Sequence, residues 1–215
     1  MRCAIIIPPP FTAACRRGLA IASAVVFIAG CAAAPATTRL PKPDLAAAQH
    51  DRSELIIALG DDNVKVLEAL RFLQEKEPDT YNALFDYIRN IMPGSHPYWS
   101  RIRYPDTIEI STYTFTRGRV YLASLLFHEL CHLMFIRIRL EPEHPVENER
   151  LIAILRRYDP FITVEEIRGL SFFEVERKIH FIQLRFLYRY GDIENAKAVK
   201  DAIGELPKTY RHLLP

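Results

Sequence analysis

Apolar positions recur at helical spacing along most of this chain and alternate at strand spacing in one short stretch. That pattern predicts a mainly helical α+β domain with a small sheet. Asp61 or Asp62 is placed to cap a helix through about Glu75, with Val64, Val66, Leu67, Leu70 and Leu73 as its apolar stripe. Beyond Pro78, Asp79 or Thr80 opens a second helix to about Ile91, with Leu84, Tyr87, Ile88 and Ile91 inward. Residues 92–105 are broken by Pro and Gly and read as a loop. Thr107 to Phe115 alternates and is rich in β-formers, so it reads as a strand. After Arg117-Gly118 a helix runs from Val120 to about Arg139 and is apolar almost all round, as a central buried helix is. Pro145 opens another to Arg157. Thr163 with Glu166, and Ser171 with Glu174, match the capping box. A helix follows each, the second reaching about Arg189, and a last one spans Ile193 to Ile203 before Gly204.

The first 50 residues break this pattern. Arg16 and Arg17 precede Gly18–Gly30, 13 residues without charge. That run is short for a bilayer span, which needs about 20 residues. A basic start, an apolar run and small residues at its end have the layout of an export signal. Ile28-Ala29-Gly30-Cys31 resembles the bacterial lipobox. The resemblance implies cleavage before Cys31, lipidation of its thiol, and an anchor of several acyl chains, each buried CH₂ contributing about 0.8 kcal/mol. Residues 31–50 are small and Pro-bearing and read as a flexible tether, with the folded domain over 51–215. The expected location is the bacterial cell envelope, at the outer membrane facing the periplasm.

Charge and cysteine content sharpen this. Arg2, Arg16 and Arg17 lie in residues 1–30 with no acid, so the rest of the chain carries −1 against +2 for the whole. Near-neutrality argues for no nucleic-acid partner. Once Cys3 and Cys15 leave with the signal and Cys31 is lipidated, only Cys131 remains, and no intrachain disulfide can form. Cys131 itself reads as a small core residue.

The chemistry lies on the central helix. In His128-Glu129-Leu130-Cys131-His132 the two histidines are four residues apart, so their imidazoles share a face one turn apart and can bind one metal. Glu129 points to the neighbouring sector, where it can act on a water at the metal without ligating it. Zn²⁺ is the expected cofactor and a peptide or protein the expected substrate. Such polar groups in an apolar helix are costly unless paired or metal-bound.

A catalytic zinc needs a third protein ligand and an open position. Glu141, Glu143, His144, Glu147 and Glu149 follow the helix. Glu147 and Glu149 point about 200° apart on a helix, so only one can face the metal. Glu147 shares a face with Leu151, Ile154 and Tyr158, and Glu149 one with Ile152, Ala153 and Arg156.

Leu126–His132 together with Glu147-Asn148-Glu149-Arg150 resembles the gluzincin metallopeptidases, and also a group of predicted bacterial aminopeptidase lipoproteins of that clan. The resemblance covers roughly residues 107–155. It implies a zincin-like fold with a small sheet packed on the HExxH helix, and a third ligand from an Asn-Glu pair, which is Glu149 here, with Glu147 as the alternative. The family's usual acid one turn further on is replaced by Ala153. The strand before the active helix is expected to pair an extended peptide along its edge. Tyr113, His180 or an Arg are the candidates for transition-state stabilisation. The expected function is zinc-dependent peptide hydrolysis by a membrane-tethered envelope enzyme with Glu129 as base. The alternatives are a non-catalytic zincin-like envelope lipoprotein and a zinc hydrolase of another bond.

Overall fold

The computed structural model describes residues 38–41, 54–96 and 100–209. The signal segment, most of the tether and Cys31 lie outside the described residues. The elements are β1 (Thr38–Pro41), β2 (Glu54–Ile57), α1 (Asn63–Lys76), α2 (Pro78–Tyr87), β3 (Asn90–Pro93), β4 (Arg101–Arg103), β5 (Thr107–Ile110), α3 (Arg119–Leu140), α4 (Pro145–Arg156), α5 (Val164–Gly169), α6 (Phe172–Arg189) and α7 (Ile193–Thr209). The protein is mostly helical with one small mixed sheet, as its periodicity predicts.

The sheet is larger than its sequence suggests. Its order is β1-β2-β3-β5-β4, with β2, β3 and β5 parallel and the outer strands antiparallel. β1 lies inside the stretch read as tether, so the sheet begins before residue 51. The second helix stops at Tyr87 rather than Ile91, and Ile91 enters β3, where it pairs with Ile57 and Ile108. The expected loop over 92–105 contains β4. β5 ends at Ile110, and Thr112–Thr116 forms a 3₁₀ turn instead of continuing the strand. The last helix passes through Gly204 to Thr209.

α3 is the spine of the core. By length and hydropathy it could cross a membrane, but 83% of that apolar stretch is buried inside the domain. Gly118 precedes it with φ +84, a backbone that a side chain would strain. Helix α1 packs on one side and α6 on another. Residues Val66, Leu70 and Leu73 of α1 are buried, whereas Val64, expected in the stripe, is 60% exposed. The α1 entry is held by Asn63, whose Oδ1 accepts the Leu59 N–H at 2.8 Å, and neither expected cap, Asp61 or Asp62, makes that bond.

Phe127 of α3 is fully buried against Tyr158 and Phe186, with ring centroids 5.1 and 5.8 Å away. Phe127→Ala should destabilise the domain by about 3–5 kcal/mol, read as a lowered urea midpoint at unchanged slope.

α6 starts at a complete capping box. Ser171 Oγ accepts the Glu174 N–H, and Glu174 Oε2 accepts the Ser171 N–H at 2.7 Å. Thr163 caps α5 with half of that motif: its Oγ1 accepts the Glu166 N–H at 3.1 Å, while the Glu166 carboxylate turns to Lys178 at 2.6 Å instead of bonding back. From the half-exposed face of α6, Arg185 reaches Asp159 at 3.4 Å and Arg189 reaches the buried Glu77 at 3.8 Å.

Candidate metal centre

Ser124, His128 and His132 lie one turn apart along α3, and Glu176, His180 and Gln183 lie one turn apart along α6. The two rows meet in reverse order, as rungs between antiparallel helices. Gln183 Nε2 donates to Ser124 Oγ at 3.2 Å. The His128 and His180 ring centroids are 4.7 Å apart. His132 Nδ1 stands 3.8 Å from Glu176 Oε1.

The donor atoms converge. His128 Nε2 and His132 Nε2 are 3.1 Å apart. Two donors on one tetrahedral ion at about 2.0–2.1 Å stand roughly 3.3–3.4 Å apart, so this pair is spaced to share a metal. Donor atoms of His128, Glu176 and His180 all lie within 4.8 Å of one another, a buried group that could hold a metal ion. His128, His132, Glu176, His180 and Glu129 are each at most 5% exposed.

Their polar atoms are poorly satisfied by the protein. His128 Nδ1, both nitrogens of His180, both oxygens of Glu176, both oxygens of Glu129 and Gln183 Oε1 are buried without a hydrogen bond of ordinary geometry. Each such group costs on the order of 1–3 kcal/mol. Grouping so many between two helices favours a bound species that satisfies them together.

Burial also sets their protonation. It pushes His128 well below its usual range, reinforced by the neighbouring His180 and His132 and offset in part by the Gln183 amide. Burial, then His180, brings His132 down to about 3. Burial brings His180 down to about 4, against the opposing influence of Gln183. Glu176 is pushed up to about 8 by burial. Burial raises Glu129 well above the carboxylate range, with Glu176 adding to it and the Ile102 backbone N–H opposing. At neutral pH the metal-free cluster is therefore uncharged, and the His132–Glu176 contact is not an ion pair.

The pH dependence of the metal-free domain follows. The imidazoles have depressed folded-state values, so their contribution is intact above 6.5 and is lost as pH falls toward about 3. Glu176 has a raised folded-state value, so its contribution is intact below 4.5 and is lost as pH rises toward about 8. Above 6.5 only the carboxyls act. With a chelator present, stability should fall between pH 6.5 and 8, by up to about 1.4 kcal/mol per pH unit for each carboxyl. Urea midpoints at the two ends check the sign.

The carboxylate beside the histidines is thus Glu176, not the expected Glu149 or Glu147. Glu149 is 63% exposed and faces Arg156 at 3.5 Å. Glu147 is 37% exposed and pairs with Arg150 at 3.4 Å. His144 is 58% exposed beside Glu141. The reason is geometric: α4 begins only after α3 has run eight residues past His132, about 12 Å at 1.5 Å per residue. Of the Asn148-Glu149 pair it is Asn148 that turns inward, donating from Nδ2 to the Glu141 carbonyl at 3.1 Å. α6 instead runs beside the middle of α3. Its sequence signal is Glu176 and His180 at helical spacing, in register with Ile179, Gln183 and Leu187 on the buried face.

The peptide-pairing edge also shifts. β5 is flanked by β3 and β4, so both of its edges are taken, and β4 is the edge strand on that side of the sheet. Its Ile102 backbone approaches Glu129. Tyr113 is engaged by Arg117, whose Nη2 donates to the phenol oxygen at 2.6 Å. Cys131 is fully buried, and burial, then Glu129, keeps its thiol protonated. No family model, curated protein or solved structure matches the chain.

Proposed function

We propose that the chain is a zinc-dependent hydrolase of peptide bonds, of the class that carries its base and two metal ligands on one HExxH helix. The observation that carries this reading is the buried group of His128, Glu176 and His180, with His132 Nε2 3.1 Å from His128 Nε2 and the buried Glu129 on the same helix. An imidazole and carboxylate donor set suits zinc. When bound, zinc supplies Lewis acidity and lowers the pKa of water at the site to about 7. Zinc's charge close by would bring Glu176 and Glu129 back to their ionised forms. Glu129 then takes a proton from the attacking water and hands it to the leaving amine. β4 lies along the Glu129 side of the site and offers the edge on which an extended peptide can lie.

In the same reading, Cys31 anchors the protein in the bacterial envelope, supported by the sequence Ile28–Cys31. Cys31→Ser should abolish palmitate incorporation and release the protein from membranes.

The depth of the site favours a second reading, a metal-stabilised scaffold without catalysis, because none of the donors is more than 5% exposed. Cleavage of a mixed peptide pool separates the two. The first reading expects cleavage that a chelator stops and zinc restores. Stoichiometric zinc with no cleavage of any peptide would establish the second.

A further inference from the structure

Ser124 donates its one hydroxyl proton to the Tyr121 carbonyl at 2.7 Å. Its oxygen can therefore only accept from Gln183. That fixes which end of the Gln183 amide faces it: Nε2 donates to Ser124 Oγ at 3.2 Å. Gln183 Oε1 is left for the other side, where the imidazoles of His128 and His180 stand within the amide's reach. On His128, Nε2 stands 3.1 Å from His132 Nε2, and Nδ1 is the nitrogen without a partner of ordinary geometry. Gln183 Oε1 is in the same condition. Ser124, His128 and Gln183 are each at most 1% exposed, and at such depth an unmade bond is costly on both atoms.

We propose that Gln183 is a positioning residue for the metal centre: its Oε1 accepts the Nδ1–H of His128 and holds that imidazole in the tautomer whose Nε2 lone pair is free for the ion. The inference rests on the reading that this site binds zinc. A neutral imidazole carries one N–H and one lone pair. A ligating histidine must keep its proton on the nitrogen away from the metal, and an outer partner fixes it there. Here the direction of the bonds is set from one end. The Tyr121 carbonyl can only accept, so Ser124 donates to it and Gln183 donates to Ser124. Gln183 then has only its carbonyl oxygen to offer, and His128 donates to that. In the metal-free protein the His128 Nε2 lone pair accepts the His132 Nε2–H at 3.1 Å. A carbonyl oxygen has two lone pairs, so Gln183 can serve the neighbouring His180 as well. Gln183 acts through His128 and needs to touch neither ion nor substrate.

The test reads the tautomer directly, by ¹⁵N–¹H correlation spectra of the ring nitrogens in the intact, metal-free chain at neutral pH. The His128 signals are those missing from His128→Ala. Wild-type His128 should be the Nδ1–H tautomer. Gln183→Leu should move it to a mixture or to the Nε2–H form, and its zinc affinity, read against a chromophoric chelator, should fall by roughly 10- to 100-fold. Ser124→Ala frees the Gln183 amide to turn, and should shift the tautomer the same way by a smaller amount. A Gln183 kept only for packing would lower the urea midpoint on replacement and leave the tautomer where it is. That result, or an Nε2–H tautomer in the wild type, would overturn the proposal. If Gln183→Leu fails to fold, the wild-type spectrum and Ser124→Ala decide. A wild type with the Nδ1–H tautomer that takes up no zinc would instead sink the metal reading and leave the hydrogen-bonded relay standing.

Discussion

Glu176→Gln should strip the domain of its metal, whereas Glu149→Gln should leave metal content unchanged. Glu176 is the carboxylate that α6 carries to the histidines, 3.8 Å from His132 Nδ1 and fully buried. Glutamine keeps the shape but removes the charge that opposes the cation. Losing a direct ligand should weaken binding at least as much as losing an outer partner, which costs about 10- to 100-fold. Glu149 lies in solvent against Arg156 and has no such role. Glu176→Gln carries a second signature in the metal-free protein. Its stability should fall less steeply between pH 6.5 and 8 than that of the wild type, because a carboxyl that must stay protonated has gone. Equal metal loss in both variants, or in neither, would contradict the assignment.

Glu129→Gln should separate binding from chemistry. Glu129 is buried on α3 between the two histidines in sequence, with the Ile102 backbone N–H beside its carboxyl. Removing a general base typically costs about 10²- to 10⁴-fold in rate. Metal content should stay at the wild-type level, since Glu129 is not needed as a ligand. With substrate cleavage followed under saturating conditions, the loss should appear in kcat. A variant that lost metal together with activity would make Glu129 a ligand instead. A variant that kept full activity would remove it from the reaction.

Much of the centre is legible in the amino-acid sequence because α3 is so apolar. His128, Glu129 and His132 stand out in a helix whose other residues around them are hydrophobic, and burial of such groups demands a reason. The Thr163 cap and the Ser171 capping box locate α5 and α6 for an equally local reason, one side chain bonding to the backbone three residues away. What is not legible depends on contacts distant in sequence. β3 and β4 are four and three residues long, and β3 ends in Pro93, so neither shows a strand period. They exist because β5 and β2 pair with them. The resemblance to the gluzincin pattern points to the Asn148-Glu149 pair for the third carboxylate. The fold brings in α6 instead, 44 positions beyond His132 at Glu176. Glu176 and His180 carry a visible signal, two ionisable residues at helical spacing within an apolar face. It becomes decisive only when α6 is known to lie along α3.

The most direct test is the metal content of the intact, folded wild-type protein, measured by elemental mass spectrometry beside His128→Ala. The site between α3 and α6 predicts close to one zinc per chain in the wild type and a large loss in the variant. A folded wild type without stoichiometric metal, or a His128→Ala variant that keeps it, would contradict a metal centre on these two helices.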